Sequence, residues 1–299
     1  MQIKRRKTRV VKIGNVRIGA GNPVAIQSMA KTKTSDVAKT IKQIKELERF
    51  GCEIVRVAVK DKADAAAIRK IKSGISIPLV ADIHFDWRLA MEAIEAGVDK
   101  IRLNPGNIYR KSEIAEVVSA AKLARIPIRV GVNSGSVRGG DCSVDAMVRS
   151  ARDYIKVLEG LKFRDIVLSL KASNVLDTIE AYRKISKICD YPLHLGVTAT
   201  GSPFKGAVKS SVAIGALLSE GIGDTIRVSL TDKPEQEVVA AKAILEALGL
   251  RTFGPQVISC PTCGRCEVDL VRIVDGLEKK ISRSGIAFSK RPLRVAVMG

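Results

Sequence analysis

Residues 78–106 read PLVADIHFDWRLAMEAIEAGVDKIRLNPG. A short run rich in Val and Ile, opened by Pro, gives way to a polar turn, then to an amphipathic stretch of helical period, then to a second β-rich run. This is a strand–helix–strand unit, and the unit recurs from about Val24 to Leu248. Strands are predicted at PVAIQSM (23–29), EIVRVAV (53–59), PLVADI (78–83), KIRLNPG (100–106), PIRVGVN (127–133), DIVLSLKA (165–172), PLHLGVT (192–198) and DTIRVSL (224–230). The segments between them read as helices. SDVAKTIKQIKELERF (35–50) has apolar residues at helical spacing with Ser35 as its expected N-cap. AAAIRKIKSG (65–74) ends on Gly74 as a helix stop. Eight such units match a (β/α)8 TIM barrel, typically ~250 residues long. An open doubly wound sheet is the alternative. The near-even spacing, and the lack of a GxGxxG after the first strand, favour the barrel.

Working outward, RVVKIGNVRIGAGN (9–22) reads as a β-hairpin turning at Gly14-Asn15, expected to plug the bottom of the barrel. After Leu250 the pattern changes. TFGPQVISC is a strand running into CPTCGRC, EVDLVRIVDGLEKKI is a helix and PLRVAVMG a second strand. The predicted domains are therefore a barrel over 1–250, with the hairpin at 9–19, and a small, incomplete α/β domain over 251–299. The latter is too short for an independent core.

Of the 299 residues 46% are hydrophobic and 27% charged, which describes a globular chain rather than a disordered one. No apolar run approaches the ~20 residues that span a bilayer, and the basic N-terminus lacks the apolar stretch of a secretory signal. The net charge of +20 says the protein meets anions. One Trp, four Tyr and six Phe argue against a base-stacking platform.

Active sites of such barrels lie at the C-terminal strand ends. The ends offer Gln27 and Ser28, Arg56, Asp82 and His84, Arg102 and Asn104, Arg129 and Asn133, Lys171, His194 and Thr198, and Arg227 and Ser229. Charges inside strands of Val, Ile and Leu are costly unless paired or facing a site. Arg56, Arg102, Arg129 and Lys171 converging at one mouth would form a cationic ring suited to a ligand with two phosphates. Arg227 is either a fifth member or a structural pair. Asp82 and His84 share a strand side and are candidates for proton transfer or for orienting hydroxyls. His194 reads as structural.

The six cysteines are Cys52, Cys142, Cys189, Cys260, Cys263 and Cys266. Structural zinc needs four ligands in two pairs, and no second CxxC or HxxxH follows CPTCGRC. Three Cys at this spacing suit an iron–sulfur cluster whose fourth ligand comes from far along the chain.

QSM (27–29), ADIHF (81–85), IRLNPGN (101–107), VGVNSGS (130–136), LHLGVT (193–198), KSSVAIGALLSEGIGDTIRVSLT (209–231) and ISCPTCGR (258–265) resemble the 4-hydroxy-3-methylbut-2-enyl diphosphate synthase family. The likeness runs from about residue 5 to the last and favours the shorter bacterial form. It implies a (β/α)8 barrel joined to a small α/β domain holding a [4Fe-4S] cluster. The implied activity is reductive ring opening and dehydration of 2-C-methyl-D-erythritol 2,4-cyclodiphosphate on the non-mevalonate isoprenoid route.

By this resemblance Arg56, Arg102, Arg129 and Lys171 bind the diphosphate, and Asp82, His84, Asn104, Asn133, Thr198 and Ser229 line the same pocket. Cys260 and Cys263 are cluster ligands, with Cys266 a third candidate. Flavodoxin or ferredoxin donates electrons, the protein is a cytoplasmic homodimer, and neither nucleic acid nor membrane is a partner. Three departures from the family pattern are expected to matter. Gly299 is reached before a third cluster cysteine and a glutamate ligand, so the 299 residues are expected to bind the substrate weakly and turn it over little. Ala199 stands where the family has a pocket glutamate. Cys266 stands where the family has another residue. Two rival readings are a basic, metal-stabilised nucleic-acid-binding module and a cluster-free barrel acting on a phosphorylated or pteridine-like ligand.

Overall fold

A computed structural model describes residues 3–137, 140–198, 201–283 and 293–298. The chain forms two compact units, 1–250 and 251–299.

The first unit opens with the hairpin, β1 (Val11–Ile13) and β2 (Val16–Ile18), antiparallel about Gly14 at φ +55°. A side chain at Gly14 would be strained there and would also meet the Pro78 ring. The barrel strands follow: β3 (Ala25–Met29), β4 (Ile54–Val59), β5 (Leu79–Ile83), β6 (Lys100–Leu103), β7 (Ile128–Asn133), β8 (Ile166–Lys171), β9 (His194–Leu195) and β10 (Thr225–Ile226). All pair in parallel. They run in order from β3 to β8, and on the other side of β3 lie β10 and then β9. A bridge between Leu168 and Leu193 brings β8 to β9 and closes the ring. The barrel, not the open sheet, is the fold.

Helices α1 (Val37–Arg49), α2 (Lys62–Ser73), α3 (Trp87–Glu95), α4 (Lys111–Ala124), α5 (Val144–Gly160), α6 (Val175–Ile188), α7 (Pro203–Ser219) and α8 (Pro234–Ala247) follow the strands in turn. One expected cap is corrected. Asp36, not Ser35, caps α1, its carboxylate accepting from the Lys39 amide at 3.2 Å. The Ser35 amide instead donates to Asp64 Oδ1 at 2.9 Å. Asp wins because its side chain is ionised at the positive end of the helix. Gly74 ends α2 as expected.

The hairpin does plug the barrel. Val11, Ile13 and Ile18 form one buried cluster with Ala25, Ile54, Val80 and Val167, from the N-terminal halves of four strands. Polar chemistry is thereby left to the opposite end.

β9 and β10 are only two residues long, and the N-terminal segment braces them. Buried Asp224 accepts from the Leu193 amide at 2.9 Å, from Arg5 at 3.0 Å and from Thr8 at 3.1 Å. Asp224→Asn turns an amide NH2 toward these donors. It should lower unfolding free energy by about 1–3 kcal/mol, read from the urea midpoint at unchanged slope.

In the second unit β11 (Gln256–Ser259) and β12 (Arg294–Val297) pair in parallel, with α9 (Leu270–Arg283) between them in sequence. This is the expected β-α-β unit, and CPTCGRC directly follows β11. No helix among the described residues is long and apolar enough to cross a membrane.

Candidate active site at the barrel mouth

The register builds the site. Asp82 on β5, Arg102 on β6 and Arg129 on β7 are successive Cα partners, so three charged side chains stand in one row inside the barrel. Arg102 Nη1 donates to Asp82 Oδ1 at 3.0 Å and Nη2 to the Gly131 carbonyl at 2.9 Å. Arg56 Nε lies 3.5 Å from Asp82 Oδ2, and its guanidinium rests on the Met29 sulfur at 3.0 Å. Gly131 leaves the room Arg102 needs, since a Cβ there would stand 2.4 Å from Arg102 Nε.

Around this row lies a cavity of about 180 Å³. Arg56, Asp82, His84, Arg102, Arg129, Asn133, Lys171, Thr198, Arg227 and Ser229, all anticipated from the sequence, line it together with Ser169 and Val197. Asn104 is not among the lining residues. Its side chain donates to Ser136 Oγ at 3.1 Å and accepts from the Gly106 amide at 3.1 Å, ordering the loop after β6. His84 Nδ1 faces the Asp82 carbonyl at 3.1 Å. Ala199 lies outside the described residues.

Arg227 is both a cavity wall and a structural pair: its guanidinium donates to Glu237 of α8 at 3.2 Å. Glu237, only 1% exposed, also accepts from Ser28 at 3.2 Å and pairs with Lys31 at 3.1 Å. Sequence reasoning missed it because PEQEVVAAK reads as a solvated helix face.

Positive charge dominates. Five cations (Arg56, Arg102, Arg129, Lys171, Arg227) line the cavity, against Asp82 on its wall and Glu237 behind it. Arg129 is 1% exposed, and its Nε and Nη1 have no hydrogen-bond partner among the described residues. Burial, with Arg56 and Arg102 beside it, pushes Arg129 well below its ordinary range. Burial lowers Arg56 to about 10, partly countered by Asp82. Burial and then Arg129 lower Lys171 in the same way. Burial alone would raise the Asp82 carboxyl, but Arg56, Arg102 and Arg129 together hold it well below the usual carboxylate range. His194, the residue expected to be structural, is fully buried with Nδ1 2.7 Å from Thr225 Oγ1. Burial and then Lys171 keep its ring neutral.

In the second unit the Cys260 amide donates to Val297 O at 3.0 Å, tying the thiol loop to β12. Hydrogen bonds from Arg265, the backbone one first, draw the exposed Cys263 thiol below its ordinary range. Thiolates are the donors iron–sulfur clusters take. The Cys260 thiol turns to Pro261 O at 3.4 Å and the Cys266 thiol to Val268 O at 3.2 Å. No three His, Cys, Asp or Glu side chains among the described residues come together as a metal-holding group. The thiols fit an iron–sulfur cluster in chemistry.

Residues 8–242 match the GcpE TIM-barrel domain, and residues 256–299 match the GcpE protein C-terminal domain. The chain belongs to the GcpE family. Among its GcpE relatives, a protein of Caldanaerobacter subterraneus subsp. tengcongensis is 54% identical over 304 residues, covering 99% of this chain and 84% of its own length. One of Lawsonia intracellularis is 52% identical over 301 residues, covering 99% of this chain and 82% of its own length. Both are named 4-hydroxy-3-methylbut-2-en-1-yl diphosphate synthase (flavodoxin). Among solved structures, the dihydropteroate synthase of Stenotrophomonas maltophilia aligns at TM-score 0.62 and 12% identity, over 82% of this chain and all of that one. The N-acetylneuraminic acid synthetase of Leptospira borgpetersenii aligns at TM-score 0.58 and 13% identity, over 95% of this chain and all of that one. At such identities the GcpE barrel shares with these two enzymes its fold alone.

Proposed function

We propose that this GcpE chain makes 4-hydroxy-3-methylbut-2-en-1-yl diphosphate, the product in its relatives' name, from 2-C-methyl-D-erythritol 2,4-cyclodiphosphate. The observation that carries the reading is the unmatched charge of the mouth, above all the partnerless Nε and Nη1 of buried Arg129. Each phosphorus of the cyclic diphosphate keeps one acidic oxygen, so the ligand brings two adjacent negative charges to a site built of guanidinium forks. Neither rival accounts for this: a nucleic-acid-binding module would carry its cations on the surface, and the pteridine-like reading now rests on fold likeness alone.

In the reaction the C2–O bond to phosphate breaks, the C3 hydroxyl leaves and a C2=C3 double bond forms. Two electrons enter, one proton joins the departing hydroxyl to give water, and the freed phosphate oxygen keeps its negative charge. Arg56, Arg102, Arg129 and Lys171 hold the diphosphate and fix the ring. Asp82 orients Arg102 and Arg56. With Nδ1–H on the Asp82 carbonyl, His84 has Nε2 to offer a substrate hydroxyl. Asn133, Thr198 and Ser229 complete the wall, and Asn104 shapes the adjoining loop.

Cys260 and Cys263 are the residues we assign to hold an iron–sulfur cluster, which would supply single-electron chemistry, with reduced flavodoxin as the donor. The surplus of +20 favours an acidic donor protein. The working unit we assign, from family resemblance, is a homodimer; sedimentation showing only monomer would remove that part.

The test is calorimetric titration with the cyclodiphosphate. Binding that Lys171→Ala weakens at least tenfold is expected, and equal affinity in both proteins would sink the reading. Gly131→Ala should act on the same site without removing any charge. Its Cβ displaces Arg102 from Asp82, and affinity should fall by about 1–3 kcal/mol, the toll of small-to-large strain at a packed position. Unchanged affinity would show that Arg102 is free to hold the ligand from another rotamer.

A further inference from the structure

Beneath the cationic row the barrel stays polar, where such barrels are normally filled by branched apolar side chains. Lys100, two residues before Arg102 on β6, is fully buried, and its Nζ reaches across the interior to Gln27 Oε1 on β3 at 3.4 Å. That amide is its one hydrogen-bond partner among the described residues. No carboxylate is left to pair with it: Asp82 is held by Arg56 and Arg102, and Glu237 by Lys31 and Arg227. The charged and titratable groups around Lys100 are Arg129 from β7, Arg56 from β4 and His194 from β9. None carries negative charge. An ammonium enclosed without counter-charge or solvent is the expensive form of a lysine. Burial, then Arg129 and Arg56, push Lys100 well below its ordinary range.

Resting on the function proposed above, we infer that Lys100 is a proton-accepting residue behind the diphosphate site, neutral in the free protein and protonated once the cyclic diphosphate is bound. The ligand's two negative charges offset the guanidiniums that face Lys100, the second cause of its lowered value after burial, and add the negative potential that an enclosed ammonium lacks in the free protein. One solvent proton joins the Nζ lone pair, and no other bond changes. The ligand cannot take that proton, because its acidic oxygens are ionised near neutral pH. His194, whose ordinary range already lies below neutral, stands among the same cations and stays uncharged. Lys171 lines the cavity, so its charge is tied to direct contact with the ligand. Lys100 senses the ligand without touching it.

The experiment is titration with the cyclodiphosphate near neutral pH in PIPES, HEPES and Tris, whose ionisation enthalpies differ. The slope of apparent enthalpy against buffer enthalpy gives the protons exchanged. About one proton taken up per site is expected for the native protein, and affinity should weaken about tenfold per pH unit on the alkaline side. In Lys100→Met the uptake should fall to near zero and affinity should become flat with pH. Lys100→Gln, which still bonds Gln27, repeats the test should the first variant fold poorly. Native binding without proton uptake overturns the inference. So does uptake that survives both substitutions, because the acceptor is then Lys171 or His194. Failure of the native protein to bind the cyclodiphosphate removes the function reading as well, a result distinct from binding without uptake.

Discussion

Arg129→Met should lose its grip on the cyclodiphosphate and become harder to unfold. The two effects have one cause. Arg129 sits fully inside the barrel beside Arg56 and Arg102, with Nε and Nη1 unpartnered. In the free protein that charge is a burden, and an apolar side chain of similar size in such a place is often neutral or stabilising by about 1–4 kcal/mol. In the complex the same charge faces two phosphates. Removing one member of a buried charge pair weakens binding by roughly 2–5 kcal/mol, which is between about thirtyfold and a few thousandfold. A merely structural arginine would give the opposite pattern, with stability falling and affinity following it passively. Urea unfolding and calorimetry on the same preparation separate the two, and reduced stability with intact affinity would show that Arg129 is not a ligand of the anion.

The same residue marks how far the sequence could be read. Strand positions were legible because Val, Ile and Pro punctuate them regularly, and the charged interruptions at Arg56, Arg102, Arg129 and Lys171 stood out against that background. Ten of the strand-end residues named from the sequence, these four among them, do line one cavity. What could not be read was pairing. Nothing local to Arg227 says that Glu237 ten residues later will fold inward as its partner, since a Glu in the first turn of a helix is ordinary on a surface. Lys100 was passed over for a related reason, because a Lys opening a strand looks like an exposed end. Its signal was present in KIRL, where period-two alternation puts Lys100 on the same side as Arg102. Ser35 and Asp36 are adjacent and both good caps, so residue type alone does not choose between them, and the ionised Asp36 carboxylate takes the positive helix end. The thiol motif gave its chemistry through spacing alone, but spacing does not say where side chains turn.

The second large effect belongs to Asp82, and it separates two roles the sequence left open. As a proton donor, Asp82 would need a carboxyl that is protonated near neutral pH. Its neighbours enforce the reverse, for three arginines hold it ionised. As the anchor of Arg102 and Arg56 it should be a large element of stability. Asp82→Asn leaves two buried guanidiniums short of their counter-charge, and breaking such an arrangement lowers unfolding free energy by about 3–5 kcal/mol. The pH dependence has a definite sign. A carboxyl whose folded value is depressed contributes stability that is fully present above the unfolded value of about 3.9 and is lost as pH falls toward the folded one. The gap between native and variant stability should therefore be widest at neutral pH and close below about pH 4. Affinity for the cyclodiphosphate should fall too, because Arg102 and Arg56 lose the group that aims them. If Asp82→Asn instead unfolds like the native protein and binds the cyclodiphosphate as tightly while product formation stops, Asp82 acts on the reacting atoms and not on the arginines around it.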